Sequence, residues 1–305
     1  LKKAARQTIG PELEKRIQII IDTGLIDLKN DFKIYWNEYP IAKLFAGNDY
    51  LNPSFDLIID DIVEPVQKQK LYDYINKWIQ NKINLVLKSL IDLKNLKDKN
   101  SSIKALAYQL YENNGVLKRD QVSEYLKSLG QNERKILRDL GVKFGRFHVF
   151  LYQLIKPDAV SLRTLLWKNF HQKYYNLQPP TFGLNFLDDK DLKNKNFMLL
   201  CGFEKFDTMF VRIDILERLF VLIINSSDSK ENKEIKMMPE MLNLLGCSKD
   251  NFKKLLQKMN YKVFEKAEDT FFKYSPVKKF KKTSSKKISD ENPFKVLRNL
   301  NLGKS

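Results

Sequence analysis

Cysteine is almost absent from this 305-residue chain. Cys201 and Cys247 are the only two, which gives no disulfide framework and sets the expectation of a reducing, cytoplasmic setting. Histidine is as scarce: His148 and His171 stand far from each other and from both cysteines. No paired knuckle spacing for zinc results, and a Cys/His nucleophilic pair is equally unsupported. No apolar run approaches the roughly 18 residues of a membrane span. The opening LKKAARQTIG has no apolar signal-peptide core, so no membrane partner is expected. The chain starts at Leu1 rather than Met, consistent with a fragment of a longer protein.

A phosphate loop, G-x-x-x-x-G-K-[ST], is also missing. The nearest approach, Gly141-Val142-Lys143-Phe144-Gly145-Arg146, has the wrong spacing and no following Lys-Ser/Thr. Gly145 reads instead as a site of bulge or close backbone approach. Phe55–Asp61, FDLIIDD, imitates the apolar strand and acids that hold Mg²⁺ in ATPases. Without the loop it reads as an ordinary strand. Asp188, Asp189 and Asp191 read as a solvated turn. No catalytic residue, metal ligand or cofactor is expected in this chain.

What is abundant is positive charge. Fifty-four Lys/Arg against 37 Asp/Glu leave a formal charge of +17, which points to a polyanionic partner. The charge also collects locally. Ser275–Lys287 carries Lys278, Lys279, Lys281, Lys282, Lys286 and Lys287 without one acid. Such a segment has too little apolar surface to fold alone, so residues 266–305 are expected to form a disordered basic tail.

The fold expected is mainly α with small β elements (α+β). Residues 1–62 read as a small α+β unit: a helix from Gly10-Pro11 to about Asp22, a hairpin across Lys29-Asn30-Asp31, and two more strands. Residues 63–177 read as a helical domain. One long amphipathic helix from Val66 to about Leu93 dominates it, with Leu71, Ile75, Trp78, Ile79, Ile83, Val86, Leu87 and Leu90 recurring at helical spacing. A β-prone stretch, Val142–Leu151, follows further on, with His148 as a packing residue within it. A helix then begins at Lys156-Pro157. Gln178-Pro179-Pro180 is the linker to residues 181–265, where Phe197–Phe203 and Met209–Ile213 look like strands.

That last unit ends in a winged-helix or helix–turn–helix-like segment. Gly246-Cys247-Ser248 supplies the turn, Ser248 the N-cap, and Tyr261–Phe264 a wing strand. At about 100° per residue, Phe252, Leu255, Leu256 and Met259 share one arc of the second helix, and Lys249, Lys253, Lys254 and Lys258 the other. Lysines so placed suit phosphates rather than base edges. The same pattern also makes a plain solvated face. Lys143 and Arg146, beside Phe144, Phe147 and Phe150, form a second basic-aromatic candidate, with a core role for the rings as the alternative.

Several passages together resemble the C-terminal region of alphaproteobacterial DEAD/DEAH-like (superfamily 2) helicases related to the mitochondrial degradosome RNA helicase. They are PIAKLFAGNDYLNP in the N-terminal unit, ALAYQLYENNG from Ala105 to Gly115, and LGVKFGRFHVFLYQLIKPDAVSLRTLLW from Leu140 to Trp167. VRIDILERL from Val211 to Leu219, Met238–Tyr261 with its LLGCS turn, and the closing NPFKVLRNL complete the set. The resemblance implies an accessory, nucleic-acid-binding region acting on RNA or DNA, with ATP-hydrolysing motor lobes supplied in cis upstream. ATP and Mg²⁺ are implied only for those lobes. Two other readings stay open: a stand-alone winged-helix regulator of duplex DNA, and a scaffold for a protein partner.

Overall fold

The computed structural model describes residues 2–59, 63–96, 101–189, 194–226 and 234–275, the side chains of residues 2–9 excepted. The fold is α+β: helices interleaved with four small antiparallel sheets.

The chain opens with α1 (Lys2–Thr23), which starts eight residues before the expected Gly10. Its KKAARQ lead-in consists largely of strong helix formers, and Pro11 interrupts the hydrogen-bond ladder without ending the helix. Strands β1 (Ile26–Leu28), β2 (Lys33–Trp36), β3 (Tyr39–Asp49) and β4 (Asn52–Leu57) form a meander in sequence order. The first turn is where Lys29-Asn30-Asp31 places it. Asp31 accepts the Lys33 N–H at 3.2 Å and the Tyr35 hydroxyl at 2.7 Å. Phe55, first of the ATPase-like acidic run, is buried on β4 with its ring stacked on Tyr72.

The single long helix expected next is two: α2 (Pro65–Val86) and α3 (Lys88–Lys94), broken at Leu87. The buried stripe continues across the break. Leu71, Ile75, Ile79, Ile83 and Leu87 are four apart, and each step of four drifts about 40° around a helix of 3.6 residues per turn. From Leu87 the spacing shortens to three, through Leu90 and Leu93, which turns the stripe back, and all three stay buried. α4 (Ser101–Glu112), β5 (Val116–Lys118), α5 (Ser123–Ser128), α6 (Gln131–Asp139), β6 (Val142–Phe144) and β7 (His148–Leu151) follow, the strands ordered β5-β7-β6. A 3-10 turn, Tyr152–Ile155, leads into α7 (Pro157–His171), with proline at its first turn as expected. The segments 1–62 and 63–177 share one apolar core running from Ile17 to Leu166.

Arg163 of α7 is fully buried. Its guanidinium donates to the carbonyls of Asn114 at 2.7 Å and Leu154 at 3.0 Å, and to that of Leu200. No carboxylate pairs with it among the described residues, and burial holds its pKa down at about 10.

The rest comprises β8 (Phe186–Asp188), α8 (Lys195–Leu200), β9 (Phe203–Phe206), β10 (Met209–Arg212), α9 (Ile213–Asn225), β11 (Ile235–Lys236), α10 (Pro239–Leu245), α11 (Lys249–Lys258), β12 (Tyr261–Lys266) and β13 (Asp269–Tyr274). Two expectations are corrected here. Phe197–Phe203 is mostly helix, because Asn194 caps α8 by accepting the Phe197 N–H at 2.9 Å, and a short apolar run does not distinguish helix from strand. The boundary drawn at residue 266 falls inside a hairpin. β13 pairs with β12 and β11, and Thr270 and Phe272 turn inward from it. A second core, Met209 to Phe272, joins β10, α9, α10, α11 and this hairpin. No described helix is long and apolar enough to cross a membrane.

Candidate nucleic-acid interface

The helix pair is built from local signals. Gly246, in the left-handed conformation at φ 67°, ends α10, and Ser248 starts α11 by accepting the Asn251 N–H at 3.2 Å. Phe252, Leu255 and Leu256 are fully buried, and Met259 nearly so. The lysines face out: Lys249, Lys254 and Lys258 are exposed and Lys253 half-buried. Two carry partners, Lys253 with Glu265 of β12 at 2.6 Å and Lys258 with Asp207 of the β9–β10 turn at 2.7 Å. The hydrogen bonds from these lysines hold both carboxyls below their ordinary pKa. Solvent-exposed pairs of this kind contribute little to stability and are screened by salt, so a polyanion can compete for the amines. Lys249 and Lys254 have no ion pair among the described residues.

Arg146 stands on the β6–β7 turn, and Glu217 of α9 fixes that turn in place. The Glu217 carboxylate accepts the backbone N–H groups of Arg146, of Phe147 at 2.9 Å and of His148 at 2.9 Å. Gly145 makes the approach possible: a Cβ there would lie 2.3 Å from Glu217 Cδ. Held this way, Arg146 lies over the Phe220 ring, 5.5 Å from its centroid, while Phe147 meets Phe220 edge-on. These residues open onto a groove of about 520 Å³, whose other walls include Phe206, Tyr261, Tyr274 and Lys258. Two expected site residues from distant parts of the sequence, Arg146 and Lys258, thus share one groove. No carboxylate among the described residues lines it.

Arg146, Phe147 and Phe206 also wall a neighbouring cavity of about 610 Å³, where Lys118, Arg119 and Lys205 add three cations to set against Asp120 and Glu204. At its floor His148 is buried rather than merely packed among aromatic rings. Its Nε2 lies 3.0 Å from Glu204 Oε2, and Lys118 Nζ reaches Glu204 Oε1 at 2.7 Å. His148 Nδ1 stands 3.6 Å from Glu217 Oε1, too far for a hydrogen bond. Burial alone depresses the imidazole pKa. The Glu204 hydrogen bond and the two nearby carboxylates outweigh it, so the net shift is upward. Glu204 moves the other way: burial raises its pKa, but His148 and Lys118 bring it below the ordinary carboxylate value.

The second basic-aromatic candidate divides. Phe150 is buried; Phe144 is half-buried beneath the guanidinium groups of Arg134 and Arg138. Lys143 is exposed on β6 and lines neither cavity, as do Lys249, Lys253 and Lys254. Lys278, Lys279, Lys281, Lys282, Lys286 and Lys287 lie outside the described residues. Sequence reasoning missed Lys118, Arg119, Lys205, Glu204, Glu217, Phe220 and Tyr274, for which no local spacing gives a signal. Comparison with protein families, with curated proteins and with solved structures finds no match to this chain.

Proposed function

We propose that the chain is a nucleic-acid-binding accessory region that works beside an ATP-driven superfamily 2 helicase motor, as the sequence resemblance implies, in the cytoplasm. The observation that carries this reading is α11: its apolar stripe is spent on the core while all four lysines stay at or near the surface. Arg146 and the cations around the second cavity extend the positive surface away from that helix. The mechanism is electrostatic. Amines displace condensed counterions from phosphates, and binding weakens steeply with salt.

The order α10, α11 and the β12–β13 hairpin also supports a winged-helix reading, in which α11 lies against a duplex and the hairpin flanks it. Lysines dominate α11, which favours phosphate contacts over base readout.

The test replaces Lys249, Lys253, Lys254 and Lys258 together with alanine and measures oligonucleotide affinity against salt. Affinity is expected to fall, and the log–log slope to flatten by about 2 to 4, near 0.9 for each phosphate released from a duplex. An unchanged slope removes α11 as the contact surface.

A further inference from the structure

The groove beside α11 differs from the lysine face in chemistry. Five aromatic rings, Phe147, Phe206, Phe220, Tyr261 and Tyr274, line it between Arg146 and Lys258. Its volume of about 520 Å³ is within the roughly 300–1,000 Å³ typical of small-ligand sites. The rings are not all consumed by the core. Tyr274 is 52% exposed at the end of β13 and meets Tyr261 edge-on, with 5.3 Å between centroids. Phe147, Phe206 and Phe220 are half-buried. A phosphate-binding surface needs no such recess of rings.

We infer that this groove takes unstacked bases of a single strand, and that the adjoining cavity lined by Lys118, Arg119, Arg146 and Lys205 takes the phosphates next to them. This deepens the nucleic-acid reading and rests on it. Charge complementarity chooses the occupant. Cations stand at the groove and beyond it, no carboxylate among the described residues lines it, four cations stand against Asp120 and Glu204 in the adjoining cavity, and Arg146 belongs to both. A base paired in a duplex hides its faces in the stack, so recessed rings reach only a base that has left it. The path runs from phosphate contacts at Lys205 and Arg119, past Arg146, to base stacking on Tyr274 and Phe220. RNA and DNA share this chemistry.

The experiment titrates the full chain with single-stranded RNA and DNA carrying 2-aminopurine, and with a blunt duplex of the same sequence. Single strands are expected to bind more tightly than the duplex, with the probe quenched by stacking. Tyr274→Ala should lower single-strand affinity about 5- to 100-fold, the usual weight of one base–aromatic stack, and abolish the quench. Tyr274→Phe should keep both. Arg146→Ala, at an exposed position, should lower affinity and reduce the salt slope by about 1. Equal affinity for duplex and single strand, untouched by Tyr274→Ala and Arg146→Ala, overturns the groove assignment and leaves the lysine face standing. Absence of binding to every oligonucleotide at low salt overturns the nucleic-acid reading itself.

Discussion

Replacing Gly145 with alanine tests how Arg146 is positioned. The added Cβ would lie 2.3 Å from Glu217 Cδ and 2.6 Å from each carboxylate oxygen. The glutamate can swing aside, and the cost is then the set of bonds it abandons. Two of these, to the Phe147 and His148 N–H groups, are part-buried at 2.9 Å. At about 1.5 kcal/mol for each bond to a charged acceptor, Gly145→Ala should lose roughly 3 kcal/mol. Glu217→Ala removes the same acceptor and should lose a similar amount. The double variant is the decisive one: with no carboxylate left to collide, the alanine at 145 adds little. The coupling should therefore be about 2 kcal/mol or more, read from urea denaturation of the four proteins. Either single change should also weaken oligonucleotide binding by releasing Arg146. Two additive losses would refute the shared-contact reasoning.

The His148–Glu204 pair should shape stability against pH. The raised pKa of His148 makes its contribution complete below the ordinary 6.5 and lost as pH climbs through the folded value. The lowered pKa of Glu204 makes its contribution present above the ordinary 4.5 and lost as pH falls through the folded value. Stability from the pair therefore peaks between, and His148→Gln should flatten the alkaline limb in melts across pH; an unaltered limb would count against it. Arg163→Met strips three carbonyls of their donor, two of them buried, and should cost about 2–4 kcal/mol in urea denaturation, with a loss under about 1 kcal/mol contradicting the assigned bonds. Gly246→Ala should cost about 1 kcal/mol from backbone strain alone, since its φ is 67° and a Cβ there meets nothing within 4 Å. A thermal melt equal to the parent's would sink that assignment.

Features set by neighbours in sequence were legible in it. The Lys29–Asp31 turn, the proline start of α7, the Gly246 stop, the Ser248 cap and the outward lysines of α11 all follow from a few adjacent residues. The close approach at Gly145 was legible as a backbone need, without its cause. Other features depend on distance. The break at Leu87 has no Pro or Gly to announce it. The strand expected at Phe197 failed because Asn194, just outside the apolar run, decides for helix. His148 read as packing because its partners Glu204 and Glu217 lie 56 and 69 residues away. The groove was hidden for the same reason: its rings come from five separate elements or turns.

The dispersal of those walls has a developmental consequence. Arg146 and Phe147 come first along the chain, but Glu217 must arrive before their turn is pinned, and Tyr274 closes the far rim only at the end of β13. Contacts spanning such separations must pay their loop-closure entropy before they stabilise anything, which slows folding. A polypeptide emerging from the ribosome would thus lack the complete groove until nearly all of its described length had been synthesised.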